Sequence, residues 1–269
     1  MVSGQKRKIM IDIGFQTIGI ISVGLLLLSI VLILFKRTKN YAVLVSSLAV
    51  LALSYYIINL WIELHRPPLR TLGETRLWYG FFLSFLGVVL WFRWKYIWLF
   101  IYSNITASVF LIIDLANPAA LDQTLMPALQ SVWFVPHVVV YIIGYALLGM
   151  SALIAAIRLL MPLWHREIKF SMEYTDNTVY FGFSFLTVGM IFGAIWAKVA
   201  WGHYWTWDPK ETWAFITWLT YLLYIHIRIK NPKNEKLVSW ILIFSFLFLM
   251  ITWLGIQYLP VSQNSVHTY

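Results

Sequence analysis

The chain has 269 residues, 61% of them hydrophobic and only 12% charged, with a mean hydropathy of +0.75; a soluble domain would carry about twice that charge. This excludes a soluble globular protein and predicts an all-α, polytopic membrane protein, because helices satisfy their own backbone in lipid. The net charge of +9 is read as a topology signal with no nucleic-acid partner, and the absence of cysteine excludes thiol–disulfide chemistry and thiolate-held clusters.

About eight apolar runs approach the ~20 residues needed to cross a bilayer. The first, 14–35, follows the basic patch Lys6-Arg7-Lys8. It is long and lacks a small-residue cleavage site, so it is read as a retained anchor. Spans at 41–61, 77–92 and 96–114 follow, the third of the series being short. A long span at 133–160 has length enough to tilt or project, and 178–200, 212–229 and 237–259 complete the set. The reading is a single membrane domain over 1–269, with N-terminal helices at 14–114, a core at 133–259 and a tail at 260–269.

Twelve of the twenty Lys and Arg residues fall in 36–40, 93–95, 158–169 and 228–236. That set is expected on the cytoplasmic side. The loop after 200, the loop before 133 and the tail are then external. The basic N-terminus opposes this assignment, and the contrast between 228–236 and the tail without Lys or Arg outweighs it.

Between the sixth and seventh spans lies Trp201-Gly202-His203-Tyr204-Trp205-Thr206-Trp207-Asp208-Pro209-Lys210-Glu211-Thr212-Trp213. An aromatic belt accounts for scattered interfacial Trp and Tyr. It does not account for Trp201, Trp205, Trp207 and Trp213 interleaved with Asp208, Lys210 and Glu211. Such a platform suits a flat, hydrophobic, partly anionic ligand such as haem. Asp208-Pro209 favours a turn, with Asp208 capping the seventh helix; Lys210 and Glu211 read first as exposed charges.

Of six histidines, three stand out. His137 opens the fifth span after Trp133, and His267 lies in the tail. Each alone reads as an interfacial histidine; on the side of the Trp loop the two form a candidate pair of axial ligands. His226, late in the seventh span, is about 20 Å of helix from Trp213 and cannot share an iron with that pair. It is either a second ligand position nearer the cytoplasm or a residue snorkelling to the interface with Arg228. His65, His165 and His203 carry no functional reading. Gly189-Met190-Ile191-Phe192-Gly193 is a close-packing pattern that could also let a flat ligand reach the backbone. His137, Tyr141, Gly144 and Tyr145 share one helical face, read as packing. Glu74 reads as an external loop or interface residue.

At these residues the chain resembles the CcsA (ResC) family of system II cytochrome c maturation. The 201–213 segment is similar to that family's tryptophan-rich WWD signature. The Lys210-Glu211-Thr212-Trp213 ending separates it from the CcmF-like members, which usually read Asp-Pro-Val-Glu-Asn, and from CcmC-like ones. The resemblance extends to Tyr221–Arg228, His137 and His267; the first half agrees mainly in hydropathy and around Glu74. It implies that His137 and His267 ligate haem b at the WWD site, with Trp201, Trp205, Trp207, Asp208 and Trp213 around it. His226 then corresponds to a transmembrane haem ligand whose partner ligand comes from a separate CcsB (ResB)-like subunit. It also implies a cytoplasmic-membrane or thylakoid location, and thiol-reducing proteins acting indirectly. The implied activity is a cytochrome c synthase that carries reduced haem outward and presents it for thioether attachment to the Cys-x-x-Cys-His motif of apocytochrome c. No catalytic residue is assigned. A haem exporter or chaperone without ligation remains an alternative, as does a b-type electron-transfer subunit, although only His226 lies well inside a span. A generic transporter is disfavoured because no carboxylate lies mid-span.

Overall fold

The structure is a computed structural model, and it describes residues 2–117, 127–161 and 171–260. All regular structure among them is helical: α1 (Val2–Ile33), α2 (Lys39–Leu64), α3 (Leu72–Trp94), α4 (Ile97–Ala116), α5 (Phe134–Leu160), α6 (Met172–Trp201), α7 (Pro209–Lys230) and α8 (Glu235–Met250). Each overlaps an expected span, although α1 and α3 begin earlier than expected and α8 ends at Met250 and continues as a π-turn. Among the described residues seven segments are long and apolar enough to cross a membrane, so the protein is a multi-pass membrane protein. The eighth helix, α7, has the length but not the apolarity: Lys210, Glu211, His226, Arg228 and Lys230 lie on it. The chain forms two compact units, 1–125 and 126–269.

In the first unit α1 packs on α2 and α4, and α3 on α2 and α4. Hydrophobic burial gives little drive between helices in lipid, so close contact and interhelical hydrogen bonds carry the packing. Gly87 supplies the first: a Cβ there would fall 2.7 Å from that of Ser103. Ser46 supplies the second, its hydroxyl donating to Asn104 Oδ1 at 2.9 Å between α2 and α4. Arg76 of α3 donates to Asp114 of α4 at 2.6 Å, both buried. Glu74 corrects an expectation. The sequence reads it as an external loop or interface residue, and it is a fully buried residue in the first turn of α3. Its carboxylate accepts from both terminal nitrogens of Arg66 at 2.9 and 2.7 Å and from the backbone N–H of Arg70 at 2.6 Å. It also completes a capping box with Thr71. A carboxylate so satisfied can leave water.

The second unit repeats the neighbour scheme: α5 packs on α6 and α8, and α7 on α6 and α8, with α6 and α7 sharing the sparsest contact of the four. The starts of α5 and α7 and the ends of α6 and α8 share one end, which carries the Trp loop. At the opposite end Arg158 pairs with Glu235 at 2.6 Å. Asp176 there accepts from Tyr224 at 2.7 Å and from Arg228 Nε at 3.0 Å. At the loop end, α8 passes into a π-turn, Ile251–Gly255. There Thr252 bonds to Thr217 of α7 (3.1 Å) and Trp253 packs on Tyr145 of α5 (5.5 Å between ring centres).

Candidate functional site: a capped tryptophan loop beside His137

The Trp loop is fixed at both ends by its own sequence. Gly202 stops α6 in the left-handed conformation, φ +86°, which glycine adopts without a Cβ penalty. Lys198 Nζ donates to its carbonyl at 2.7 Å. At the far end Asp208 caps α7 and Pro209 follows in the first turn, where a missing N–H costs nothing. Glu211 is half-buried and closes the capping box: its carboxylate accepts from the N–H of Asp208 (3.2 Å) and of Thr206 (2.8 Å). Lys210 is also half-buried, and burial lowers its ammonium below the ordinary value, against the opposing charge of Asp208. Neither is the freely exposed charge the sequence suggested: both are half-buried in the first turn of α7, and Glu211 reaches back to the loop.

Between these anchors Trp207 takes φ +60°, a conformation unfavourable to a bulky residue. It persists because Glu211 ties the residues on either side, and Thr212 Oγ1 donates to the Trp207 carbonyl at 3.1 Å. The result holds the Trp207 side chain outward, 64% exposed.

The rings fall into three groups. Trp201 meets the buried Trp196 edge-on at 4.7 Å, and Trp196 stacks on His137 at 5.6 Å. Trp205 and Trp207 meet edge-on at 5.8 Å, and Trp207 rests against Phe215 of α7, which stacks on Trp218. The indole nitrogen of Trp205 is buried with no acceptor among the described residues. Trp213 lies instead on Phe248 of α8 at 5.9 Å.

His137 stands in the first turn of α5. Its Nδ1 lies 2.8 Å from the carbonyl oxygen of Gly189 on α6. A carbonyl only accepts, so Nδ1 carries the proton and Nε2 the lone pair. Tyr141 closes on the ring edge at 4.6 Å, and Tyr145 follows one turn on. The shared face of His137, Tyr141, Gly144 and Tyr145 is thus a packing face. It is matched on α6 by Gly189, Gly193 and Trp196, which share a face by their spacing.

The structure brings His137, Trp196 and Trp201 together in one group, and Trp205, Trp207 and Asp208 into one capped loop. His226 is at the opposite end of α7, exposed, two residues from Arg228. His65 and His203 are exposed as well. His267 and His165 lie outside the described residues. Trp196, Gly189 and Glu211 carry more of the site than the sequence reading gave them. The signal for the first two was present, since Trp196 follows the GxxxG pattern at the spacing that completes its face.

Fold and loop together define a multi-pass helical membrane protein whose second unit carries a preorganised aromatic loop beside a histidine of fixed tautomer. The family model for the cytochrome c assembly protein matches residues 14–262. The chain is 30% identical over 273 residues to the cytochrome c biogenesis protein CcsA of Guillardia theta, covering 88% of this chain and 89% of that one. It is 31% identical over 272 residues to the CcsA of Prochlorococcus marinus, covering 88% and 87%. The chain belongs to the CcsA family of cytochrome c assembly proteins. In fold it is similar to the solved cytochrome c heme lyase CcmF, with a TM-score of 0.58 and 19% identity over 95% of this chain. It spans about half of that protein's length.

Proposed function

We propose that the protein acts in cytochrome c biogenesis, holding haem at the Trp loop and presenting it to apocytochrome c. The observation that carries this reading is the His137 Nδ1–H donation to Gly189, which leaves Nε2 as the ring nitrogen whose lone pair suits a metal. Neutral imidazole with one nitrogen donating to a carbonyl is the ordinary form of a metal-bound histidine.

The residues present fit a haem. The lone pair of His137 suits iron. The exposed Trp207 offers an indole to a porphyrin face. The buried, unsatisfied N–H of Trp205 offers a donor to an anionic edge group. Haem is here the substrate, and its vinyl groups supply the carbons to which cysteine thiols attach. The protein's part is to position. His137 and His267 hold the iron, Trp201, Trp205 and Trp207 shield it, and Asp208 with Glu211 keeps the loop in shape. The incoming histidine of a Cys-x-x-Cys-His motif displaces one ligand and brings its thiols alongside. Such orientation supplies the rate by proximity. His226, exposed near the other end of α7, is a ligand position shared with a CcsB-like partner. The loop end faces the outer side of the cytoplasmic or thylakoid membrane, in keeping with the bias of Lys and Arg.

The test is an absorption spectrum of the purified chain with and without a CcsB-like partner. A reduced spectrum of two-histidine type is expected in the wild type, lost in His137→Gly/His267→Gly and restored by imidazole. Cytochrome maturation that survives both substitutions without imidazole would overturn the reading.

A further inference from the structure

The α5–α6 contact does more than pack two helices. A Cβ at position 193 would fall 2.7 Å from Cε1, 2.8 Å from Nδ1 and 3.6 Å from Nε2 of His137. The imidazole therefore lies in the space that a side chain at 193 would fill. One turn away, a Cβ at 189 would meet the Tyr141 ring at 3.1 Å. With these two positions bare, α6 comes close enough for the Gly189 carbonyl to reach Nδ1 at 2.8 Å. Trp196 covers one face of the ring at 25° between planes, and Tyr141 stands across its edge at 82°. Carbonyl, indole and phenol together set the rotation of the imidazole and the nitrogen that carries its proton.

We propose that Gly189 and Gly193 are positioning residues for His137: the Gly189 carbonyl holds the proton on Nδ1, and the bare Gly193 leaves room for the ring, so that Nε2 is delivered to iron in a fixed direction. This rests on the reading of His137 as a haem ligand. It gives the GxxxG pattern of α6 a chemical role in addition to its packing role. Partners of this kind orient the ligand and raise its basicity, and disturbing them typically costs about 10–100-fold in metal affinity.

The experiment uses the full chain in detergent, haem-free, with 15N-labelled histidine, the His137 signals being assigned by their loss in His137→Gln. The wild type is expected to show the Nδ1-protonated tautomer. Gly193→Ala is expected to abolish that preference, to weaken haem retention about 10–100-fold, and to regain retention with free imidazole. Thermal stability is measured in parallel: the loss caused by Gly193→Ala is expected to shrink in a His137→Gly background, where the added methyl group has space. Three results would overturn the proposal: an Nε2-protonated tautomer in the wild type, a tautomer and haem retention unchanged by Gly193→Ala, or an equal stability loss with and without the ring. If His137→Gly leaves haem retention intact, the ligand reading falls instead, whatever the tautomer.

Discussion

Glu211 holds Trp207 in its left-handed conformation through the backbone: it accepts from the residues on either side, Thr206 and Asp208, at 2.8 and 3.2 Å. A carboxylate in the first turn of a helix thereby shapes the loop that precedes it. Glu211→Ala removes these bonds and half of the capping box, which is expected to cost about 1 kcal/mol. Limited proteolysis should cut within 202–208 faster than in the wild type, and Glu211→Gln should lie between the two. Unchanged cleavage would mean that the loop keeps its shape by other contacts.

Substitution of Trp207 is expected to separate stability from haem retention. Its φ of +60° carries a penalty of roughly 1–2 kcal/mol that glycine does not pay. Trp207→Gly should therefore leave the melting temperature unchanged or higher while haem retention falls. A variant that melts lower and retains haem would remove Trp207 from the binding surface.

At the opposite end, Asp176 accepts from both Tyr224 and Arg228. Asp176→Asn is expected to destabilise the second unit by about 2 kcal/mol, since a hydrogen-bonded, largely buried charge loses its partner. In a double-mutant cycle that pairs Asp176→Ala with Tyr224→Phe the losses should not add, because each change removes the bond from the Tyr224 hydroxyl to Asp176. Additive losses would show that the two residues act separately.

In the first unit, Glu74→Gln leaves Arg66 without its carboxylate in a mostly buried position. The cost is expected to be about 3 kcal/mol, read as a lower melting temperature in detergent. Arg66→Met/Glu74→Met is expected to recover part of it, because the uncompensated charge is gone. A double variant no more stable than Glu74→Gln would place the main cost in the capping bonds of Glu74.

Much was legible along the chain because it depends on near neighbours. Apolar runs of bilayer length give the helices, and seven of the eight helices meet the length and apolarity of a membrane span. Asp208 before Pro209, with Glu211 three residues on, gives the cap of α7. Gly202 gives the end of α6. The Trp-rich loop and its Lys210-Glu211-Thr212-Trp213 ending give the family. Each of these patterns is short, and its energy comes from backbone groups a few residues away.

The rest required the tertiary structure, since it is decided by groups distant in sequence. Glu74 is buried because Arg66 folds back across the α2–α3 connection to meet it. Trp213 lies on Phe248 of α8, although its sequence neighbours form the loop. His137 could be singled out from the chain as a candidate ligand, but the nitrogen that holds its proton could not. That nitrogen is set by a carbonyl 52 residues away, brought within reach because two glycines let one helix approach another. Hydropathy and local spacing determine which segments become helices; the meeting of their faces determines what each side chain on them can bind.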